Sequence, residues 1–216
     1  MCGIIDMPGC PYFIAHTFAH LFGAVLVTGI STENPLLGNL DKKPMTHLAL
    51  FFVSIALIFG IFYAPVGPIK YGLFALFCIL LGQIISGFVK RLKQENLLSN
   101  TLIIVGTIFA CMTGIGLLDR GNMLSWGTYL GVALFGLIIA MIVTAFTTKT
   151  KADADTAHLW ISRAILLLFT LYVGFDVEVL KVNAALCKSN PDYVNESINL
   201  YLDIVNLFMG AGGAQQ

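Results

Sequence analysis

Two aspartates near the carboxyl end of the chain could bind a proton or a cation. Asp176 lies in the segment VGFDVEVL and Asp203 in NLYLDIVNLF, each surrounded by apolar residues. Charged groups inside a membrane are costly, usually face a bundle interior, and mark an ion pathway or a proton relay. Two facing carboxyl groups in a poorly hydrated pocket cannot both ionise easily, so we expect them to share one proton near neutral or mildly acid pH.

The same pair could also bind a metal. When both carboxyl groups are ionised, their hard oxygens suit a divalent cation such as calcium. Asp176 and Asp203 are therefore the predicted pH sensor, the predicted metal ligands and the predicted ion path.

The elements that carry the two aspartates place them at one depth. Asp176 precedes Lys181, the last basic residue of its helix, by five positions, and Asp203 follows Ile198, near the start of the last helix, by five. At a rise of 1.5 Å per residue, each carboxyl lies about 7–8 Å from its membrane boundary. Because the two helices run antiparallel from a shared connection, both depths are measured from the same surface.

A polar face on the last helix supports the pair. Four residues are spaced i, i+4, i+7 and i+11 and share this face: Asn199, Asp203, Asn206 and Gly210. We expect this face to point into the bundle, toward the side of the preceding helix that carries Tyr172 and Asp176. Asn199, Asn206 and Tyr172 are the predicted supporting residues.

Other interpretations of these acidic residues stay open. Asp176 could be an interfacial residue that pairs with Lys181 or Lys188, and Asp203 could be a single buried neutral group that makes a hydrogen bond. Glu178 is predicted to be interfacial, three residues before Lys181. Arg163 lies thirteen residues before Asp176, about 20 Å along the helix axis, so it is expected to snorkel toward its own end of the helix.

Two histidines, His16 and His20, stand at i and i+4 in the segment HTFAH. They could bind a metal or sense pH. A metal site usually needs a third ligand, so packing or hydrogen bonding is the favoured interpretation.

Composition fixes the surroundings of these residues. The 216 residues are 57% hydrophobic and 11% charged, and the mean hydropathy is +0.86. These values are typical of a multi-pass membrane protein, with membrane lipids as its surroundings. The formal net charge is +0, from 12 basic and 12 acidic residues, so a nucleic-acid partner is excluded.

Seven apolar segments are long enough to cross a bilayer, which takes about 20 residues. They are predicted at 12–30, 46–64, 70–89, 99–118, 124–147, 158–181 and 197–213. The fold class is therefore all-α, a seven-helix transmembrane bundle that forms a single domain over residues 1–216.

Two of the segments above resemble a known family. SINLYLDIVNLF is similar to the last-helix signature of the Bax inhibitor-1, or transmembrane Bax inhibitor motif, family. VGFDVEVL resembles the aspartate segment near the end of that family's sixth helix, although Phe175 stands where tyrosine is usual. The resemblance implies a seven-helix fold whose last helix is surrounded by the others, and an aspartate pair near the cytosolic side.

The resemblance also implies a function. It implies a proton-sensitive calcium leak, with calcium as the transported ion and no cofactor, gated by Asp176 and Asp203. It places the protein in the endoplasmic reticulum, the Golgi or a related membrane, where it restrains cell death by lowering stored calcium, or in the plasma membrane of a bacterium. It implies a cytosolic amino terminus, whereas the basic residues of the connections slightly favour the opposite orientation.

The chain departs from the family pattern in two further places. Leu81 stands before Gly82, where an acidic residue is frequent, and no basic residue lies between His47 and Tyr63 to latch the pair. Lys70 or a histidine is expected to take over this latching role.

Two other functions remain in view. Intramembrane aspartyl proteases also place one aspartate on each of two successive helices, with chemistry that needs a shared proton. The bulky residues of LYLD and the lack of a Pro-Ala-Leu motif in the last helix disfavour an enzyme. The other alternative is a non-conducting membrane protein that binds cell-death regulators.

Overall fold

A computed structural model describes residues 10, 12–34, 44–118, 123–148, 150–186 and 191–216. Among the helical residues, only the backbone is described for 44–48, 51 and 145. The described residues form seven α-helices and no strand. This agrees with the predicted all-α class.

The seven helices follow one another with short connections. Their bounds are α1 Phe13–Glu33, α2 Pro44–Tyr63, α3 Pro68–Gln94, α4 Leu98–Leu118, α5 Gly127–Thr147, α6 Lys151–Ala185 and α7 Tyr193–Gly213. A short 3-10 helix, Met123–Trp126, leads directly into α5. The prediction of seven helices is confirmed, with the largest difference at the start of α6, which lies seven residues before the predicted one.

Four of the helical stretches in the described part of the chain are long and apolar enough to cross a membrane. They are Phe13–Glu33, Pro68–Gln94, Leu98–Leu118 and Met123–Thr144, and a shorter apolar stretch is Phe52–Tyr63 in α2. The ionisable residues within α6 and α7 lower the hydropathy of those two helices. Large apolar side chains such as Val132, Phe135 and Phe146 are exposed along α5, as expected of a surface that faces lipid.

The chain divides into two compact units, residues 1–95 with 184–201 and residues 96–183 with 202–216. The first unit contains α1, α2, α3 and the first part of α7, and both α1 and α2 pack on α3. Close approach of α1 and α3 requires Gly82, because a Cβ there would lie 2.6 Å from the carbonyl oxygen of Thr28. The predicted single domain remains a prediction.

Tyr201 joins three helices in the first unit. Its hydroxyl lies 2.6 Å from Oγ1 of Thr28, which also donates to the carbonyl oxygen of Cys78 at 3.2 Å. The rings of Phe74 and Phe77 meet the Tyr201 ring edge-on, at 6.1 Å between centroids. These contacts hold the first part of α7 against α1 and α3.

The second unit contains α4, α5, α6 and the second part of α7. Gly116 lets α4 approach α6, since a Cβ there would lie 2.7 Å from the carbonyl oxygen of Gly174. Gly210 does the same for α7 and α6, where a Cβ would lie 2.8 Å from the backbone nitrogen of Leu166. Such contacts between small residues let helices in lipid pack backbone to backbone.

Buried residues occupy nearly every side of α7. In its first part they are Val194, Ser197, Ile198, Leu200 and Tyr201, and in its second part Asp203, Leu207, Phe208, Gly210, Ala211, Gly212 and Gly213. At 100° per residue these positions spread around the whole circumference of the helix. The expected central position of the last helix remains a prediction.

Candidate functional site

The second unit brings the two predicted aspartates together. Asp176 comes from α6 and Asp203 from the part of α7 that packs on α6 through Gly210. The side chain of Asp203 is 3% exposed, and that of Asp176 is half-buried. The two carboxyl groups are in hydrogen-bond contact. Because a carboxylate has no proton to donate, this contact is a hydrogen bond only when one group is protonated.

The second oxygen of Asp203 is free in the described structure. Its Oδ2 has no hydrogen-bond partner among the described residues, although it is fully enclosed. A buried oxygen without a partner is costly when it carries charge. Asp203 therefore has one enclosed oxygen that could accept a proton.

Tyr172 borders the pair. It lies one helical turn before Asp176, is half-buried, and interacts electrostatically with both carboxyl groups. Its ring stacks on Phe169 at 5.5 Å between centroids and meets Phe175 edge-on at 6.5 Å. The structure thus places one of the predicted supporting residues at the pair and fixes its orientation by aromatic packing.

The two asparagines of the predicted polar face behave differently. Asn206 is half-buried and donates through Nδ2 to the carbonyl oxygen of Leu202, 2.8 Å away in its own helix. Asn199 is exposed, so the expectation that it points inward is wrong. Asn199 belongs to the first unit and Asp203 to the second, and the helices that surround α7 therefore change between these two residues.

Glu178 corrects a second expectation, because it is fully buried rather than interfacial. Its Oε2 accepts a hydrogen bond of 2.9 Å from the backbone N–H of Leu124, at the start of the 3-10 helix. Its Oε1 has no hydrogen-bond partner among the described residues. Sequence spacing could not reveal this burial, since no apolar pattern predicts the 3-10 helix that covers the carboxyl group.

Lys70 and Arg163, which the sequence also singled out, have partners outside the aspartate pair. Lys70, the expected substitute latch, pairs with Asp192 in the first unit. The guanidinium of Arg163 lies 5.3 Å from the ring centroid of Trp160, and both side chains are exposed. This position agrees with snorkelling, because an exposed tryptophan is typical of a membrane interface.

His16 and His20 are held by aromatic packing and a hydrogen bond, as the favoured interpretation predicts. The His16 ring contacts Tyr193 in a tilted arrangement at 5.2 Å between centroids, and the His20 ring stacks on Tyr193 at 5.8 Å. Nδ1 of His20 lies 2.7 Å from the carbonyl oxygen of His16. Tyr71 stacks with His20 at 5.5 Å.

The aspartate pair offers two carboxyl groups as ligands for a cation. Within the described ranges, no group of three or more histidine, cysteine, aspartate or glutamate side chains is arranged to hold a metal ion. Calcium takes six to eight oxygen ligands. Asp176 and Asp203 would therefore supply only part of its coordination shell, and water or backbone carbonyls would supply the rest.

These features define a class, a multi-pass helical membrane protein with a carboxyl pair on its last two helices, one member of which is buried. The profile of the family described as "Inhibitor of apoptosis-promoting Bax1" matches residues 11–210. The chain belongs to this Bax inhibitor family.

Three relatives illustrate how far the similarity extends. Bax inhibitor 1 of Schizosaccharomyces pombe is 26% identical over 193 residues, which cover 88% of this chain and 69% of the relative. An uncharacterized protein of Borreliella burgdorferi is 24% identical over 201 residues, covering 88% and 82%. An uncharacterized protein of Rickettsia prowazekii is 22% identical over 221 residues, covering 93% and 87%.

Proposed function

We propose that this protein is a pH-sensitive calcium leak channel gated by Asp176 and Asp203. The observation that carries the proposal is the hydrogen-bond contact between the two carboxyl groups, one of which is almost completely buried. Membership of the Bax inhibitor family supports it. Calcium is the transported substrate in this proposal, and no cofactor takes part.

The mechanism follows from the charge of the pair. With one shared proton, the carboxyl groups attract each other and hold α6 and α7 together. With no proton, they repel each other and present only acceptor oxygens, which bind a hard cation. The two states differ both in the attachment of the helices and in affinity for calcium, so transport depends on pH.

Calcium flux into proteoliposomes, measured across pH, tests the proposal. Asp203→Asn and Asp176→Asn each leave only one carboxyl group, and the amide can donate to it at every pH, so each variant should lose most of the pH dependence. Asp155→Asn is the matched control, because Asp155 is an exposed aspartate of the same helix α6. Identical pH responses in all four proteins would refute gating by the pair.

The membrane and the biological role are part of the same proposal. The S. pombe relative is named Bax inhibitor 1, and the family description refers to apoptosis. These names support an anti-apoptotic role. The proposal places this role in the endoplasmic reticulum, the Golgi or a related membrane of a eukaryotic host. Relatives in Borreliella and Rickettsia support a plasma-membrane location if the host is a bacterium.

An intramembrane aspartyl protease is the competing function that the carboxyl contact also suits. Two carboxyl groups with one proton can activate water for peptide hydrolysis. Cleavage of a membrane-spanning peptide by the purified protein, lost in Asp203→Ala, would favour the protease. Calcium flux without cleavage would favour the channel.

A further inference from the structure

The start of α7 is attached to the first unit by a buried ion pair. The ammonium of Lys70, on α3, pairs with Oδ2 of Asp192, the residue just before α7. The side chain of Lys70 is 1% exposed and that of Asp192 is 27% exposed. A lysine this deeply buried is rare unless it is paired, so Asp192 is what makes its position tolerable.

The other carboxyl oxygen of Asp192 caps the start of α7. Its Oδ1 accepts a hydrogen bond of 3.1 Å from the backbone N–H of Asn195, which is the geometry of a helix N-cap. A negative charge at this end also interacts favourably with the helix dipole. One carboxylate therefore connects Lys70 of α3 to the first turn of α7.

The next residue, Tyr193, fixes the same turn from another side. Its ring packs against Phe13 at 5.4 Å and against His16 at 5.2 Å between centroids. The first turn of α7 is thus held to α3 by charge and to α1 by aromatic contacts. Two contacts from different helices restrict rotation of α7 about its own axis.

From these contacts we infer that Lys70 and Asp192 form an anchor that sets the rotation of α7, so that both are positioning residues for Asp203. α7 is one continuous helix from Tyr193 to Gly213, so rotation of its first turn turns the Asp203 side chain by the same angle. The inference about transport rests on the proposed channel function. The inference about the anchor itself does not.

A second ion pair in the same unit provides a matched comparison. Lys93 of α3 pairs with Glu33 of α1, and both side chains are largely exposed. Exposed pairs contribute little, whereas a buried charge that loses its partner is strongly unfavourable. Lys93→Met is therefore the control for Lys70→Met.

Hydrogen exchange of the first turn of α7 tests the anchor directly. Lys70→Met removes the charge but keeps the length of the side chain, and Asp192→Asn keeps an N-cap acceptor while removing the charge. Asp192→Asn leaves the buried ammonium of Lys70 unpaired and should accelerate exchange of the amides of residues 195–198 by about a hundredfold. Lys70→Met leaves the partly exposed carboxylate of Asp192 unpaired and should accelerate it less. The double variant Lys70→Met with Asp192→Asn should exchange more slowly than either single variant, because no charge is left unpaired.

Two results would overturn the anchor. One is unchanged exchange in both single variants, and the other is a double variant whose acceleration equals the product of the accelerations of the two single variants. Lys93→Met should leave exchange in this turn unchanged. Lys70→Arg keeps the positive charge, so exchange in this variant should stay as slow as in wild type. If Lys70→Met does not fold, Asp192→Asn carries the same comparison, because its cap is intact.

Calcium flux across pH tests the positioning role. In the anchor variants the pH profile should shift relative to wild type, and in Lys93→Met it should not. Faster exchange with an unchanged pH profile would refute positioning of Asp203 while leaving the anchor in place. Absence of pH-dependent flux in wild type would refute the proposed channel, and the exchange experiment would still decide on the anchor.

Discussion

Asp203 and Glu178 are both buried carboxyl groups in the second unit, but their surroundings differ. Asp203 contacts another carboxyl group, Asp176, so binding of one proton changes the interaction between them from repulsion to attraction. Glu178 accepts a backbone hydrogen bond from Leu124. That bond fixes the 3-10 helix to α6, so Glu178 has a structural role.

Substitution of Glu178 should therefore change stability. Glu178→Ala removes the acceptor for Leu124 N–H and leaves a cavity, which should cost about 2–4 kcal/mol of unfolding free energy. Glu178→Gln keeps an acceptor oxygen and should cost less than the alanine variant. Thermal unfolding in detergent micelles measures both, with the exposed Glu95→Ala as a control that should leave Tm unchanged. A Tm of Glu178→Ala equal to that of wild type would contradict this role.

Residue spacing in the sequence predicted some positions at this site correctly and others wrongly. Spacing along the two helices predicted that Asp176 and Asp203 lie at the same depth. The contact between their carboxyl groups agrees with that prediction. The same spacing failed for Asn199, because a face rule assumes that one side of a helix is inside along its whole length. In α7 the buried side changes along the helix, so that Asn199 is exposed in the first part while Asp203 is buried in the second.

At the level of elements, the crossing of α4 and α6 depends on glycine. A Cβ on Gly116 would lie 2.7 Å from the carbonyl oxygen of Gly174 and 2.9 Å from Cβ of Val177. Backbone atoms cannot move aside as a flexible side chain can. On the same helix, Gly114 has nothing within 4 Å of the corresponding position.

This contrast gives a matched pair of variants. Gly116→Ala should destabilise the protein by about 1–3 kcal/mol, because the added methyl group forces α4 and α6 apart. Gly114→Ala should be neutral or stabilise by up to about 1 kcal/mol, since alanine loses less entropy than glycine in a helix. Thermal unfolding of the two variants in the same detergent checks the difference. Equal Tm values would show that the crossing tolerates a side chain.

Helix bounds show what hydropathy can and cannot predict. The seven apolar segments predicted the seven helices, because a helix that crosses a membrane needs a long apolar stretch. α6 begins at Lys151 rather than near residue 158, because a helix can continue past the apolar stretch into polar sequence. The anchor at Lys70 was not predicted as such, although the aspartate just before the last helix is a typical N-cap signal.

At the level of the whole molecule, the calcium leak and the non-conducting binding protein predict different effects on cell survival when the ion path is closed. A leak lowers stored calcium by letting ions pass, so its effect on survival must disappear when the path is closed. A protein that only binds cell-death regulators does not need the carboxyl pair. The family membership and the printed name of the S. pombe relative support both possibilities equally.

Expression in S. pombe cells that lack their own Bax inhibitor 1 separates the two. The wild-type chain should lower stored calcium and raise survival under stress, and Asp155→Asn should act like wild type. The double variant Asp176→Asn with Asp203→Asn should do neither if transport is the cause, because neither position retains a carboxylate that can ionise and bind calcium. Normal survival in cells whose double variant leaks no calcium would assign the protective effect to binding of a partner protein instead, since the pair would then be dispensable for it.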